Sequence, residues 1–463
     1  MFENIIAQDA VLQLAEDIPA GRLAPSMLFF GPAASGKGSA ALELARVLSC
    51  ENRALWNCPC PACARHRYLI HADLLSLGSR PFAAEIAASA AAFSREPSSA
   101  ATRLLFIRSV RKLLSRFSPV LWEDDSKLGK ISPLLQSLEE ELDEFEAESG
   151  RMPEDSGGAA SPPEKLISVI LKNAFKLEDE GVGDVIPVAQ IRRAAYWGRL
   201  APNGRRKVLL IENADRMQEG ARNSLLKILE EPPASLSIVL SSQRREAIMP
   251  TILSRLRPYR FLKRDGERER EIIRRVFRDS AGHIAGNLPA GDKRAGADQA
   301  PAGLISAYLD SFLPQPLEKL YPLAAFFIAS VARMAAMSLK KKGASAIPAD
   351  LAALGAHCAP IAEDAGFGRA LNARDVIAAV LSSSSNFEAR SFPRFLRQIL
   401  DLVSHVYREE AGPHFIAQND IWRKYTARAE AAAGVWNQSP ALALEALFYR
   451  LKETLCEARL DTD

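Results

Sequence analysis

Three short, mostly apolar runs, Met27–Phe30, Val208–Ile211 and Ser237–Leu240, punctuate the first 262 residues and are separated by longer stretches with helical spacing. Runs of this length without strict alternation fit strands buried on both faces, and strands alternating with helices predict an α/β architecture around a parallel sheet. Residues 1 to about 80 and about 185 to 262 therefore read as two pieces of one domain. Between the second and third runs, Leu225, Leu226 and Leu229 form an apolar stripe on a helix that Pro232 and Pro233 bring to an end, because proline removes backbone donors.

The stretch between the two pieces differs in character. Arg103 to Trp122 is basic and amphipathic, with Phe106, Val110, Leu113, Leu114, Phe117 and Leu121 on one side and Arg108, Arg111, Lys112 and Arg116 elsewhere. Leu135 to Glu148 is its acidic counterpart, with Leu135, Leu138, Leu142 and Phe145 at helical spacing, so the two are expected to fold back on each other as a hairpin. The charges read as solvated helix faces, with a partner-binding face as the alternative. Residues 148–163 are rich in turn formers and read as a loose tail. Beyond Phe261 the pattern is almost wholly helical, interrupted by a second loose segment at 286–301, and no internal repeat is visible.

At 463 residues the chain has room for two or three domains. With 48% hydrophobic and 25% charged residues it has the composition of a soluble globular protein. No uninterrupted apolar run reaches the roughly 18 residues that span a bilayer, and the start, Met1-Phe-Glu-Asn-Ile-Ile, carries no secretion signal, so a cytoplasmic location without membrane contact is expected. A formal charge of +3 neither supports nor excludes binding to DNA.

Two segments carry candidate chemistry. After Met27–Phe30 comes Gly31-Pro-Ala-Ala-Ser-Gly36-Lys37-Gly38-Ser39, followed by the helical run Ala40 to Leu48. Glycines let backbone N–H groups and a helix N-terminus face an anion, and Lys37 adds a charge toward terminal phosphates, so the segment reads as a phosphate loop for ATP. The usual loop places Ser or Thr after the lysine to ligate Mg²⁺; here Gly38 stands there, and Ser39 points about 100° away around the helix. Cys50, Cys58, Cys60 and Cys63 crowd into fourteen residues, whereas Cys358 and Cys456 are isolated. In a reducing compartment such crowding favours a structural Zn²⁺ over disulfides, with four protein ligands leaving no open position for catalysis; His66 is an alternative to one thiolate.

The stretch Ala221-Arg-Asn-Ser-Leu-Leu-Lys-Ile-Leu-Glu-Glu-Pro-Pro233 resembles the signature of bacterial DNA polymerase III clamp-loader subunits, the gamma, tau and delta prime family. Phe2-Glu-Asn-Ile-Ile-Ala-Gln8, Ala20-Gly-Arg22, the four cysteines, His71-Ala-Asp73-Leu, Val188-Ala-Gln190-Ile-Arg192, Ser242 and Thr251-Ile-Leu-Ser254-Arg255 are similar to further motifs of that family, with Leu256 where the family has cysteine. Trp436 to Phe448 resembles its collar helix. The likeness covers 1–80 and 185–262 well and leaves about 90–183 without a counterpart.

The resemblance implies an AAA+ P-loop domain over 1–262 with a zinc module at 50–66 and an inserted segment at about 90–183. A small helical lid and linker at 263–300 and a helical collar for oligomerisation at 301–463 are expected to follow. It implies a hetero-oligomer with gamma/tau and delta subunits, acting on the sliding clamp and primed DNA. Gly31, Gly36, Lys37, Gly38 and Ser39 fall at the nucleotide loop, and Ser242 falls at the sensor position. Where motor subunits end the second strand with Asp-Glu, this chain has Glu212-Asn213, which keeps a carboxylate for the metal but offers no base; Asp215 either substitutes or opens the next helix. Arg255 falls at the arginine that reaches a neighbour's site, the alternative being an ordinary surface ion pair. The family more often spaces its last three cysteines two residues apart, so Cys58 is one residue close. Altered Gly38 and Asn213 beside a retained Arg255 favour a delta prime-like stator that hydrolyses ATP weakly or not at all, over a gamma/tau-type motor.

Overall fold

The computed structural model describes residues 1–123, 125, 127–150, 163–183, 185–279, 304–313, 317–343, 347–368, 372–382, 392–409, 413–434 and 438–457. The two loose segments of the sequence, apart from 148–150 and 163, and Trp436 with Asn437 lie outside the described residues. Contacts divide the chain into two units, Met1–Leu313 and Pro314–Asp463.

The first unit is built on a five-stranded sheet: β1 (Ser26–Phe30), β2 (Leu74–Gly78), β3 (Lys207–Glu212), β4 (Leu236–Ser242) and β5 (Arg257–Arg260), in spatial order β2-β3-β4-β1-β5. All neighbours are parallel, with Met27 opposite Val239 and Leu209 opposite Ile238. The period of two sends alternate residues to two separate cores. Met27, Phe29, Val208, Leu210 and Val239 face the side covered by helices Asp9–Asp17 and Lys37–Ser49. Leu28, Leu209, Ile211, Ile238 and Leu240 face a larger core under helices Ala83–Arg95, Val188–Arg199 and Glu219–Glu230.

Two strands escape the sequence reading for different reasons. β5 reads Arg-Pro-Tyr-Arg and buries only Tyr259, as suits an edge strand paired on one side, where Pro258 deprives no ladder of a donor. β2, Leu-Leu-Ser-Leu-Gly, is the opposite edge, and follows directly on the His71-Ala-Asp73 motif. Asp73 accepts from the backbone N–H of Asn203 at 2.8 Å and of Gly204 at 2.6 Å, and so ties the approach to β2 to the approach to β3.

The basic and acidic stretches form helices Ala100–Leu114 and Leu128–Gly150, which meet through Phe106 and Phe145 (ring centroids 5.0 Å apart), an Arg111–Glu146 ion pair and an Arg103 bond of 2.6 Å to the Ser149 carbonyl. The acidic helix also packs along Glu164–Gly181, where Ile167, Ile170 and Ala174 join Leu138 and Leu142 in the core. Helices Gly266–Val276 and Leu304–Ser311 close a small cluster with Ala88 and Ala92.

The second unit is helical: Leu317–Lys341, Ala349–Asp364, Ala373–Ser382, Phe392–Glu409, Pro413–Gly434 and Pro440–Glu457. Phe327 packs edge-on against Phe395 (5.7 Å) and Phe448 (5.6 Å), and Trp422 is fully buried. By length and composition Leu320–Lys341 is apolar enough to cross a membrane, which the search for uninterrupted apolar runs misses; 67% of its apolar window is buried inside the unit.

Candidate functional site

In a parallel sheet, ligand chemistry gathers beyond the carboxyl ends of the strands, because there the helices begin and their N–H groups are free. Three of the sequence candidates sit at that edge. The phosphate loop leaves β1 at Gly31 and enters helix Lys37–Ser49 through Gly36, whose φ of 93° is a conformation that favours glycine. Glu212 ends β3 and Ser242 ends β4.

Lys37 is turned back into its own loop. Its Nζ donates to the carbonyl of Gly31 at 2.7 Å, to that of Pro32, and to Ser35 Oγ at 3.2 Å. Burial and then the charge of Arg80 push its pKa down to about 8, with Asp215 pulling the other way. Ser39 is exposed on the first turn. Arg264 closes the loop from outside, bonding the Ala34 carbonyl at 3.0 Å and the Ile6 carbonyl at 2.9 Å.

The acidic position is occupied by cations of the chain itself. Glu212, nearly buried, takes Arg80 Nη1 on Oε1 at 3.3 Å and Arg116 on Oε2. Arg116, from the turn Ser115–Phe117, also donates to Ser76 Oγ on β2 at 2.7 Å. Glu85 accepts from Arg80 and from Lys112. A Cβ added at Gly38 would lie 2.7 Å from Glu212 Oε1 and 3.4 Å from Arg80 Nη1, so the place where a loop hydroxyl and an acid would share a metal is filled by side chains.

Asn213 takes a left-handed φ of 53° as the cap of the short turn Ala214–Arg216, and Asp215 is the middle residue of that turn. Ser242 Oγ donates to Asp215 Oδ1 at 2.8 Å, and Arg244 stands 3.4 Å from Oδ2. The sensor position and Asp215 are thereby joined, while Glu212 belongs to a separate network.

Arg255 stands on the surface after the short helix Pro250–Leu253. Its Nη1 donates to the Thr251 carbonyl at 2.6 Å and its Nη2 meets Glu230 Oε1, on the Leu-Glu-Glu-Pro-Pro helix, at 2.8 Å. Leu256, next in the chain, is buried in the large core, which accounts for an apolar residue there.

The four cysteines of 50–63 converge as a group whose sulfurs all lie within 4.8 Å of one another. Cys50 and Cys58 are 3.7 Å apart, close to the edge of about 3.8 Å that a tetrahedron with Zn–S of about 2.3 Å requires. Donors also point at the sulfurs: Asn52 N–H at Cys50 (3.3 Å), Asn52 Nδ2 at Cys58 (3.5 Å), Cys63 N–H at Cys60 (3.5 Å) and Arg46 Nη1 at Cys63 (3.1 Å). Donors of this kind stabilise thiolates, and hydrogen bonds from the Cys60 backbone and Asn52 hold the Cys58 thiol down at about 6. The donor set fits a structural Zn²⁺. His66 stays outside it, bonded to Ser49 Oγ at 2.9 Å and stacked on His71.

Arg46 was not anticipated. Wholly buried on the phosphate-loop helix, it pairs with Glu43 at 2.6 Å and bonds the carbonyls of Ala54 and Leu55 as well as Cys63. Arg80 and Arg116 were missed as well. β2 gives no strand pattern that would draw Arg80 into a site, and helical spacing places Arg116 on a solvated face, whereas in the structure both meet Glu212.

A five-stranded parallel sheet flanked by helices, with a glycine-rich loop leaving β1 and further helices after it, fits a P-loop domain of the AAA+ type. The family described as DNA polymerase III, delta subunit, matches residues 6–118 and 162–265, which leaves 119–161 as the internal gap, narrower than the 90–183 that motif resemblance left without a counterpart. The delta' subunit of DNA polymerase III from Pseudomonas aeruginosa is 40% identical over 82 residues, 18% of this chain and 25% of that one. The gamma/tau subunit from Mycobacterium tuberculosis is 28% identical over 104 residues, 22% of this chain and 18% of that one. A crystal structure of a DNA polymerase III gamma subunit-related protein from Thermotoga maritima shares 18% identity over 59% of this chain and 81% of its own, with a TM-score of 0.29. Matching stretches thus span about a quarter or less of the curated relatives' lengths. The family model and the two sequence relatives support a clamp-loader subunit of DNA polymerase III, of the delta prime, gamma and tau kind.

Proposed function

We propose that this chain is a delta prime-like stator of the clamp loader, which holds the geometry of the assembly and lends Arg255 to a neighbouring subunit's ATP site while its own pocket does not hydrolyse ATP. The observation that carries the reading is the capture of Glu212 by Arg80 and Arg116 beside a residue, Gly38, that has no hydroxyl. Hydrolysis needs a metal between loop and acid and a base for the attacking water; here the acid is spent on guanidinium groups and Asn213 carries no charge. Arg255, by contrast, is held at the surface by an exposed carboxylate that a stronger anion would displace. Partners in this reading are the gamma/tau and delta subunits, the sliding clamp and primed DNA, and Cys50, Cys58, Cys60 and Cys63 hold Zn²⁺. The alternative, a gamma/tau-type motor, is favoured by the likeness to gamma/tau sequences.

The test is DNA-stimulated ATP turnover by the reconstituted clamp loader with Lys37→Ala or Arg255→Ala in this chain. A stator gives at least about a tenfold loss for Arg255→Ala and little change for Lys37→Ala, because an arginine finger stabilises charge only in the transition state. The reverse order assigns hydrolysis to this subunit.

A further inference from the structure

The cations around the phosphate loop outnumber the acids that face them. Lys37, Arg80, Lys112, Arg116 and Arg264 surround the loop and the strand ends, against Glu85, Glu212, Asp215 and Glu269. Arg116 is buried and its Nε has no hydrogen-bond partner among the described residues. Arg80 is less buried and its guanidinium lies beside the first turn of the loop helix, 3.4 Å from where a Gly38 side chain would begin. Its Nη1 donates to Glu212 Oε1 at 3.3 Å, between the loop helix and the end of β3.

A guanidinium differs from Mg²⁺ in that it brings one charge and fixed donors, and requires no shell of water or carboxylate ligands. We infer that Arg80 stands in for the divalent cation, so that the loop takes a triphosphate group as the free anion, without Mg²⁺. Lys37 leaves the carbonyls of Gly31 and Pro32 to meet that anion, and the excess positive charge supplies the attraction. The depressed pKa of Lys37 agrees, since burial and Arg80 leave its charge short of a counter-ion. A metal-bound triphosphate fits worse, because Arg80 lies 3.4 Å from where a Gly38 side chain would begin and both Glu212 oxygens already accept from guanidinium groups. This assignment concerns binding by the chain alone and stands or falls separately from the role of Arg255.

The experiment is calorimetric titration of the full chain with sodium triphosphate and with ATP, each in EDTA and in excess Mg²⁺. Binding of both in EDTA, weakened when Mg²⁺ is added, is the expected result. Equal affinities assign the site to the triphosphate group alone; tighter ATP adds a base pocket, and both outcomes support the inference. Arg80→Ala should weaken binding in EDTA about tenfold, the scale of one charge-assisted contact, with Arg80→Lys recovering part of it and an unchanged circular dichroism spectrum showing that the fold survives. No binding in EDTA, binding that requires Mg²⁺, or an Arg80→Ala variant that binds as well as the parent overturns it.

Discussion

At the scale of single residues, the charges that matter most are those turned inward. Arg46 and Glu43 are both almost fully buried, and the arginine's remaining donors are used by two carbonyls and a cysteine sulfur. Removing one partner of such a pair strands the other in a medium where it cannot be solvated. Arg46→Leu is expected to cost about 3–5 kcal/mol in urea unfolding, while the pairwise swap of both residues to apolar ones costs much less. Glu85 supplies a pH signature. Burial alone would raise its pKa, but Lys112 and Arg80 hold it down at about 2. Its folded pKa lies below the unfolded one, so its contribution is complete above roughly pH 4.5 and is lost as pH falls toward 2. Acid titration of unfolding should show Glu85→Gln removing on the order of 2–3 kcal/mol of that pH-dependent stability. Gly38→Ser tests the proposed metal site from the other side: the new Cβ meets Glu212 and Arg80, so restoring the hydroxyl is expected to bring no gain in Mg²⁺-dependent turnover, read as ATP hydrolysis by the chain alone.

Among the elements, the cysteine module and the phosphate-loop helix act as one body, since Arg46 of the helix Lys37–Ser49 reaches across to Ala54, Leu55 and Cys63. Chelation of the metal, or Cys60→Ser, is expected to release zinc in a ratio of about one ion per chain. It should also lower the melting temperature of the first unit, read by metal analysis and calorimetry on the same sample. How far the sequence foretells the elements depends on how they are buried. β1, β3 and β4 are interior strands, buried on both faces, and their apolar runs are plain in the sequence. Of the two edges, Arg-Pro-Tyr-Arg buries only Tyr259 and carries little of that signal, whereas Leu-Leu-Ser-Leu-Gly is buried through Leu75, Ser76 and Leu77 but is a short run broken by a serine. The same limit hid part of the site. Cys50, Cys58, Cys60 and Cys63 are recognisable from spacing, whereas Arg80 and Arg116 meet Glu212 only once the chain has crossed more than ninety residues, and helical periodicity cannot tell an arginine in water from one against a carboxylate.

The molecule as a whole comprises two units with separate cores, and the second holds a helix with two possible solvents. Leu320–Lys341 has a mean hydropathy of 1.6 and is 67% buried by its neighbours. Ala349–Asp364, Phe392–Glu409 and Pro440–Glu457 supply that cover through residues such as Leu354, Phe395 and Phe448. Until Pro440–Glu457 has docked, part of that apolar surface is expected to stay uncovered and open to aggregation or to a bilayer. A chain stopped before Pro440 is expected to sediment with membranes or aggregates, whereas the full chain does not, as fractionation of cells expressing each would show. Docking of Pro440–Glu457 is thus expected to complete the apolar cover of the central helix of its unit.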